Sequence, residues 1–356
     1  MKYVAPRWLP GGHLQTIWPA LAARRALPGP PVYRRERWTA PDGDFVDVDF
    51  LEDGTGSPAG PRPLLVLFHG LEGSSRSHYA EAFAGVARER GWDCAVPHFR
   101  GCSGELNLAP RAYHSGDHEE IDWILARMAA RQRPGGAGEG PRAPVIVAGV
   151  SLGGNALLRW AAEHGALAAR SADAVAAICS PLDLAAGGFA IGRGFNRQVY
   201  TRMFLRTMVP KALAKWRQHP GLFDREALRA ARDLHAFDDV FTAPLHGFRD
   251  ADDYWRRASA KPLLGRIRIP ALAVNALNDP FVPAASLPRA HEAGPHVTLW
   301  QPAHGGHVGF THGRLPGHVR AMPEAVADWL ARRAGIVAGA PSDAGAGAGG
   351  LGSPHG

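Results

Sequence analysis

The sequence predicts an α/β fold built on a mostly parallel, doubly wound sheet, and three observations carry that expectation. Short apolar runs such as Leu64–Phe68 alternate with stretches of helical periodicity, the rhythm of parallel strands buried on both faces. The segment Pro144–Trp160 reads as strand, sharp turn and helix, with Ser151 at the bend. A long excursion, residues 184–260, then interrupts the rhythm and is too long to be a structureless loop.

Taken in order, residues 1–31 are punctuated by Pro and Gly and are expected to wrap the surface as an N-terminal segment. Val32–Trp38 and Phe45–Phe50 alternate as an antiparallel hairpin across Pro41-Asp42-Gly43. After a loop at Asp53–Pro63, Leu64–Phe68 is the first buried strand. There follow a helix over Tyr79–Arg90, a strand at Asp93–Pro97, a helix over Glu119–Arg131, a loop insert at Pro134–Pro141, a strand at Val145–Ala148, a helix over Asn155–His164 and a strand at Ala174–Ile178. Residues 32–183 thus form the first part of a core, and 184–260 a helical cap with helices at Phe195–Lys215 and Arg225–Leu234. A strand from Ile269, a strand at Val297–Trp300 and a helix at Pro323–Arg333 complete the core over 261–335, and the Ala/Gly/Ser/Pro tail 336–356 is expected to be disordered.

Composition excludes several classes. With 46% hydrophobic residues in 356, the chain buries a large core and is not globally disordered. The formal charge of +7 comes from arginines standing singly or in pairs, with no basic stripe, so no nucleic-acid partner is expected. Three cysteines, Cys94, Cys102 and Cys179, have no metal-type spacing and read as reduced thiols. Prolines interrupt the N-terminus before a signal peptide could form, and no run approaches a membrane span, so a cytoplasmic setting is expected with peripheral membrane contact left open.

The chemistry centres on Gly149-Val150-Ser151-Leu152-Gly153, a nucleophile elbow whose glycines let strand and helix approach while the serine hydroxyl stands clear. Serine needs a neutral imidazole to take its proton and a carboxylate to fix that imidazole's tautomer. In chain order nucleophile, acid, base, the loops after the later strands offer Asp279 and His307. Asp183 and His304 compete for these places. His304-Gly-Gly-His307 could mimic a metal site, but the two glycines favour a turn over a rigid ligand-bearing helix, and no metal or cofactor is expected. Oxyanion donors are expected from the backbone N–H groups of Leu152 and of Leu71 in the Gly-rich turn His69–Gly73. In the cap, Phe195, Val199, Met203, Phe204, Met208 and Val209 gather on one side of a helix, and Met203 and Phe204 are candidates for contact with a substrate acyl chain. His13, Glu105, His114 and Asp117 are explained by capping or loop bracing.

Together these residues resemble the α/β-hydrolase superfamily, and more closely the YheT-like hydrolases with their eukaryotic membrane-linked relatives. The motifs that carry the resemblance are Gly12-His-Leu-Gln-Thr16, Phe68-His-Gly-Leu-Glu-Gly73, Phe99–Glu105, Arg111–Asp117, Gly149–Gly154, Gly194–Arg197, Asn275–Pro280 and Gly305–Phe310. It implies the α/β-hydrolase fold and carboxylesterase or lipase-type activity on small-molecule or lipid acyl esters, with Ser151, Asp279 and His307 on the triad positions. The same site could serve an acyltransferase. A catalytically silent scaffold for ligand or partner binding is the contrasting expectation.

Overall fold

Leu64–Phe68 is wholly buried because it is the centre of a sheet. The computed structural model describes residues 2–24, 29–52, 62–133 and 142–337. Its strands are β1 (Val32–Thr39), β2 (Phe45–Glu52), β3 (Leu64–Phe68), β4 (Asp93–Pro97), β5 (Val145–Val150), β6 (Ala174–Ile178), β7 (Ala271–Val274) and β8 (Val297–Trp300). They form one eight-stranded sheet in the order β1-β2-β4-β3-β5-β6-β7-β8. Strand β2 runs antiparallel to both neighbours, β1 and β4, and every pairing from β4 to β8 is parallel.

Alternation along the strands supplies two cores. Leu64, Val66 and Phe68 face one layer with α3 (His118–Arg131) and α4 (Leu152–His164), while Leu65 and Leu67 face α2 (His78–Glu89) and the C-terminal helix Ala321–Arg333. Each helix obeys local signals. In α3, the Asp117 carboxylate accepts from the Glu120 amide at the N-terminus, and Ile121, Ile124, Leu125 and Met128 make the buried stripe.

Every described helix or strand between Leu184 and Ala258 is helical, beginning with α5 (Leu184–Ile191). Arg225–Leu234, expected as one helix, ends at Ala230, because Asp233 caps a separate turn, Leu234–Phe237, by accepting from the Ala236 amide. A π-type turn over Arg197–Thr201 leads into the helix Arg202–Gln218. The turn widens the period by one residue, so the exposed positions fall in pairs at Arg197/Gln198, Arg202/Met203 and Arg206/Thr207. This corrects the expectation of scattered arginines: three of them form a stripe on one outer face.

The N-terminal segment also differs from expectation. It holds the helix α1 (Gly12–Leu21), with Gln15, Thr16 and Pro19 buried. Among the described residues no helix is long and apolar enough to cross a membrane. The loop at Asp53–Pro63, apart from Arg62 and Pro63, the insert at Pro134–Pro141 and nearly all of the tail lie outside the described residues.

Candidate active site

Strand β5 ends at Val150 and α4 begins at Leu152, so Ser151 alone makes the turn, at φ 52° and ψ −117°. A serine in this region stores about 1–3 kcal/mol of strain, tolerated only where the surroundings enforce it. They do so by close approach. A Cβ on Gly149 would lie 2.6 Å from the Gly153 carbonyl oxygen, and one on Gly153 would lie 2.5 Å from that of His69. The Ser151 amide donates to Ile178 O on β6, fixing the bend to the sheet.

The loops after β7 and β8 bring the other two side chains to this point. His307 Nε2 is 3.1 Å from Ser151 Oγ, and His307 Nδ1 is 2.9 Å from Asp279 Oδ2. The other carboxylate oxygen of Asp279 accepts from the Phe281 and Val282 amides at 2.8 and 3.3 Å. An ionised Asp279 therefore takes the Nδ1 proton as its donor and leaves the Nε2 lone pair for the Ser151 hydroxyl. Phe281 covers the imidazole, with ring centroids 4.2 Å apart. The competing residues go elsewhere: Asp183 caps α5 by accepting from the Ala186 amide, and His304 is exposed.

The α1 helix fastens the loop that carries His307. Thr16 Oγ1 accepts from the His307 amide at 2.8 Å, Gln15 Oε1 accepts from Gly305 N and from Asn278 Nδ2 at 2.9 Å each, and Asn278 Oδ1 accepts from Gly306 N at 3.0 Å. Sequence reasoning placed residues 1–31 on the surface and missed this, although Gly12-His-Leu-Gln-Thr16 stood out as a motif. No local signal marked it, because the amides that Gln15 and Thr16 serve lie on the distant 305–307 loop.

Around Leu71 the neighbouring amides are occupied. Gly70 N–H donates to Tyr79 Oη, Glu72 N–H to Tyr113 Oη and Gly73 N–H to Gly70 O. Tyr113 Oη returns a bond to Glu72 Oε1, and Lys211 from the cap pairs with the same carboxylate at 2.9 Å. Leu152 N lies in the first turn of α4, where no intrahelical acceptor exists. Leu71 and Leu152 line one cleft with Ser151 and His307. His69 plays no acid–base part there: burial, reinforced by the nearby His98, lowers its pKa to about 3, and its Nε2 accepts from the Phe99 amide.

The cleft, about 1180 Å³ including the space open to solvent at its mouth, runs under the cap helices, walled chiefly by apolar side chains including Phe204, Met208, Phe241 and Trp255. Met203 does not line it. The π-type turn sets Met203 beside Arg202 on the outer face, 52% exposed, and turns Phe204 and Met208 inward. Phe195, likewise 52% exposed, packs against His13.

Donor atoms of Cys179, Asp279 and His307 fall within 4.8 Å of one another. Burial first, and the charge of Asp279 second, push the Cys179 thiol well above its usual range, so it stays protonated, which is unfavourable for a metal ligand. His304 belongs to no such cluster among the described residues.

The α/β hydrolase fold family matches residues 63–313 of this chain. The chain belongs to that family. Within this α/β-hydrolase family it stands among the esterase- and lipase-like enzymes. It is 38% identical over 331 residues to "Putative esterase YheT" of Escherichia coli (strain K12), covering 92% of this chain and 93% of that one. It is 29% identical over 296 residues to phospholipase ABHD3 of Mus musculus, covering 81% and 69%. Among solved structures, a puromycin-hydrolyzing peptidase of Mycobacterium tuberculosis shares the fold with a TM-score of 0.54 at 18% identity, over 86% of this chain and 40% of that one.

Proposed function

We propose that the protein is a serine carboxylic-ester hydrolase acting on short-to-medium acyl esters through Ser151, His307 and Asp279. The observation that carries this is the unbroken chain of contacts from Ser151 Oγ to His307 Nε2 and from Nδ1 to Asp279 Oδ2. In the proposed reaction Ser151 Oγ bonds to the ester carbonyl carbon while its proton passes to His307 Nε2. The resulting oxyanion accepts from the Leu71 and Leu152 amides. As the tetrahedral species collapses, the C–O bond to the alcohol breaks and His307 returns the proton to the leaving alkoxide. Water then attacks the acyl-serine by the same route, releasing the acid. Asp279 holds the imidazole in place and stabilises it while charged.

The apolar cleft wall at Phe204 and Met208 supports an acyl rather than a polar substituent in the site. Relatives named phospholipase, and a Saccharomyces cerevisiae relative named monoacylglycerol lipase at 26% identity, support lipid esters within that class. Residues 184–260 act in this reading as a cap over a core of 32–183 and 261–335. Free Cys94, Cys102 and Cys179 suit a reducing, cytoplasmic setting. An alcohol in place of water would make the same machinery an acyltransferase. The deciding experiment combines a fluorophosphonate label with hydrolysis of a graded series of acyl esters. Labelling that requires Ser151, with turnover that rises beyond acetate, is expected. An unreactive Ser151 would assign the chain to a silent scaffold instead, and ester turnover seen only with added alcohol acceptors would favour acyl transfer.

A further inference from the structure

Between Asp183 and Asp224 the chain carries seven Lys or Arg and no acidic residue. Besides the exposed Arg193 and Arg217, the fold sorts the other five into two groups. Lys211 pairs with Glu72, and Lys215 is buried with its ammonium donating to the Asn107 and Ala109 carbonyls, so both point inward. Arg197, Arg202 and Arg206 point outward, are exposed, and meet no carboxylate among the described residues. By contrast, Arg35, Arg37 and Arg131 on the β1–β2 side are each held by a carboxylate.

The π-type turn at Arg197–Thr201 is what aligns them. Arg202 is five positions after Arg197 and Arg206 four after Arg202, so only a widened turn followed by an ordinary α turn keeps all three on one face. Like charges at one-turn spacing repel and are destabilising until an anion neutralises them. A guanidinium is the side chain best suited to phosphate, which it grips through paired N–H donors. Met203 stands within this stripe and is 52% exposed. Apolar groups beside arginines suit a bilayer interface, where they enter the headgroup region while the cations stay with phosphates. A nucleic acid would use the arginines and leave Met203 without a role.

We propose that this face of the cap, Arg197, Arg202 and Arg206 with Met203, docks the protein on an anionic phospholipid surface. The opposite side of the same helix carries Phe204 and Met208, which line the cleft beside Ser151. Docking therefore brings the cleft wall to within about one helix diameter, ~10 Å, of the lipid. The part of the proposal that makes this a route for acyl esters into the cleft rests on the hydrolase function proposed above.

The test is co-sedimentation of the full chain with phosphatidylcholine vesicles, with and without phosphatidylglycerol, at low and raised salt. Wild type is expected to pellet with the anionic vesicles alone and to be released as salt screens the contact. The R197Q/R202Q/R206Q variant is expected to bind about tenfold or more weakly, and M203Q to bind anionic vesicles more weakly at unchanged charge. Both should hydrolyse a soluble short-chain ester as wild type does in the absence of vesicles, which also shows that they are folded. Wild type left in the supernatant with anionic vesicles, or a triple variant that binds as well as wild type, would overturn the docking face. So would binding to a single-stranded oligonucleotide that exceeds binding to vesicles and is indifferent to M203Q. Vesicle binding by a wild type that turns over no soluble ester would leave docking intact and remove the hydrolase reading.

Discussion

Ser151 sits in backbone that a serine rarely adopts, and the contacts at Gly149 and Gly153 explain why the chain cannot relax there. Ser151→Ala is expected to abolish fluorophosphonate labelling and to lower ester turnover by about 10³-fold or more with the melting temperature nearly unchanged. Asp279→Asn and His307→Ala should lower kcat by comparable orders, whereas His304→Ala and Asp183→Asn should leave it close to wild type. An Asp183→Asn enzyme as slow as Asp279→Asn would move the acid to the loop after β6. Thr16 sits one hydrogen bond away from the chemistry, holding the His307 amide at 2.8 Å. In the proposed triad it is a positioning residue. Thr16→Val is expected to lower kcat about tenfold with KM little changed, and Thr16→Ser to restore it, because the serine hydroxyl can still accept from the amide. If Thr16→Ser were as impaired as Thr16→Val, the methyl packing and not the hydrogen bond would be responsible.

Helix Arg202–Gln218 is where sequence periodicity and structure part. An ideal α period carried on from Phe195 and Val199 reaches Met203 next, but the π-type turn shifts the register by one residue, so Phe204 follows Val199 toward the cleft and Met203 falls on the exposed side. Hence Phe204→Asp is expected to lower kcat/KM for medium-chain esters severalfold more than for acetate, since each methylene that finds no apolar wall forfeits about 0.8 kcal/mol. Met203→Asp should leave this soluble-substrate profile unchanged. Equal chain-length profiles for the two substitutions would contradict the placement. Helix α1 teaches the converse lesson. Its Pro/Gly-rich surroundings suggest a surface segment, yet Gln15 and Thr16 are buried because loop amides at residues 305 and 307 require acceptors.

For the whole molecule, pH dependence follows from opposed groups. His69, His114 and His246 have folded pKa values lowered from 6.5 to about 3, chiefly by burial. Between those values the unfolded chain binds more protons than the folded one, so these rings make stability fall as pH falls. Burial pushes Asp238 up to about 6 and, with neighbouring Asp117, raises Glu120 as well. Those two bind protons in the folded state first and offset the histidines through the mildly acidic range. Burial alone would raise Asp44 and Asp49, but hydrogen bonds outweigh it: those from Asn107 and backbone amides lower Asp44 to about 2, and those from His98, Arg35 and Ser75 hold Asp49 lower still. Stability from depressed carboxylates is present above about pH 4 and is lost below it. Urea unfolding midpoints are therefore expected to change little from neutral pH to about 5 and to drop steeply below about 4. A midpoint that rises steadily on acidification would show that the histidines are not neutral in the fold.

The sequence by itself determined the alternating core and the elbow, because wholly apolar runs and a Gly-x-Ser-x-Gly turn are local signals that survive without any knowledge of partners. β3, β4, β6 and β8 fall at the ends read from sequence. The order of Ser151, Asp279 and His307 along the chain was legible for the same reason, each lying on a loop after a strand. What only the tertiary structure decided depends on contacts between distant segments. The acceptors on α1 find their amides some 290 residues away, at 291 for Thr16 and His307. Likewise the one-residue widening at Arg197–Thr201 selects which cap side chains face the cleft and which face outward. Neither has a local signature, since an unpaired amide and a widened turn are defined by what packs against them.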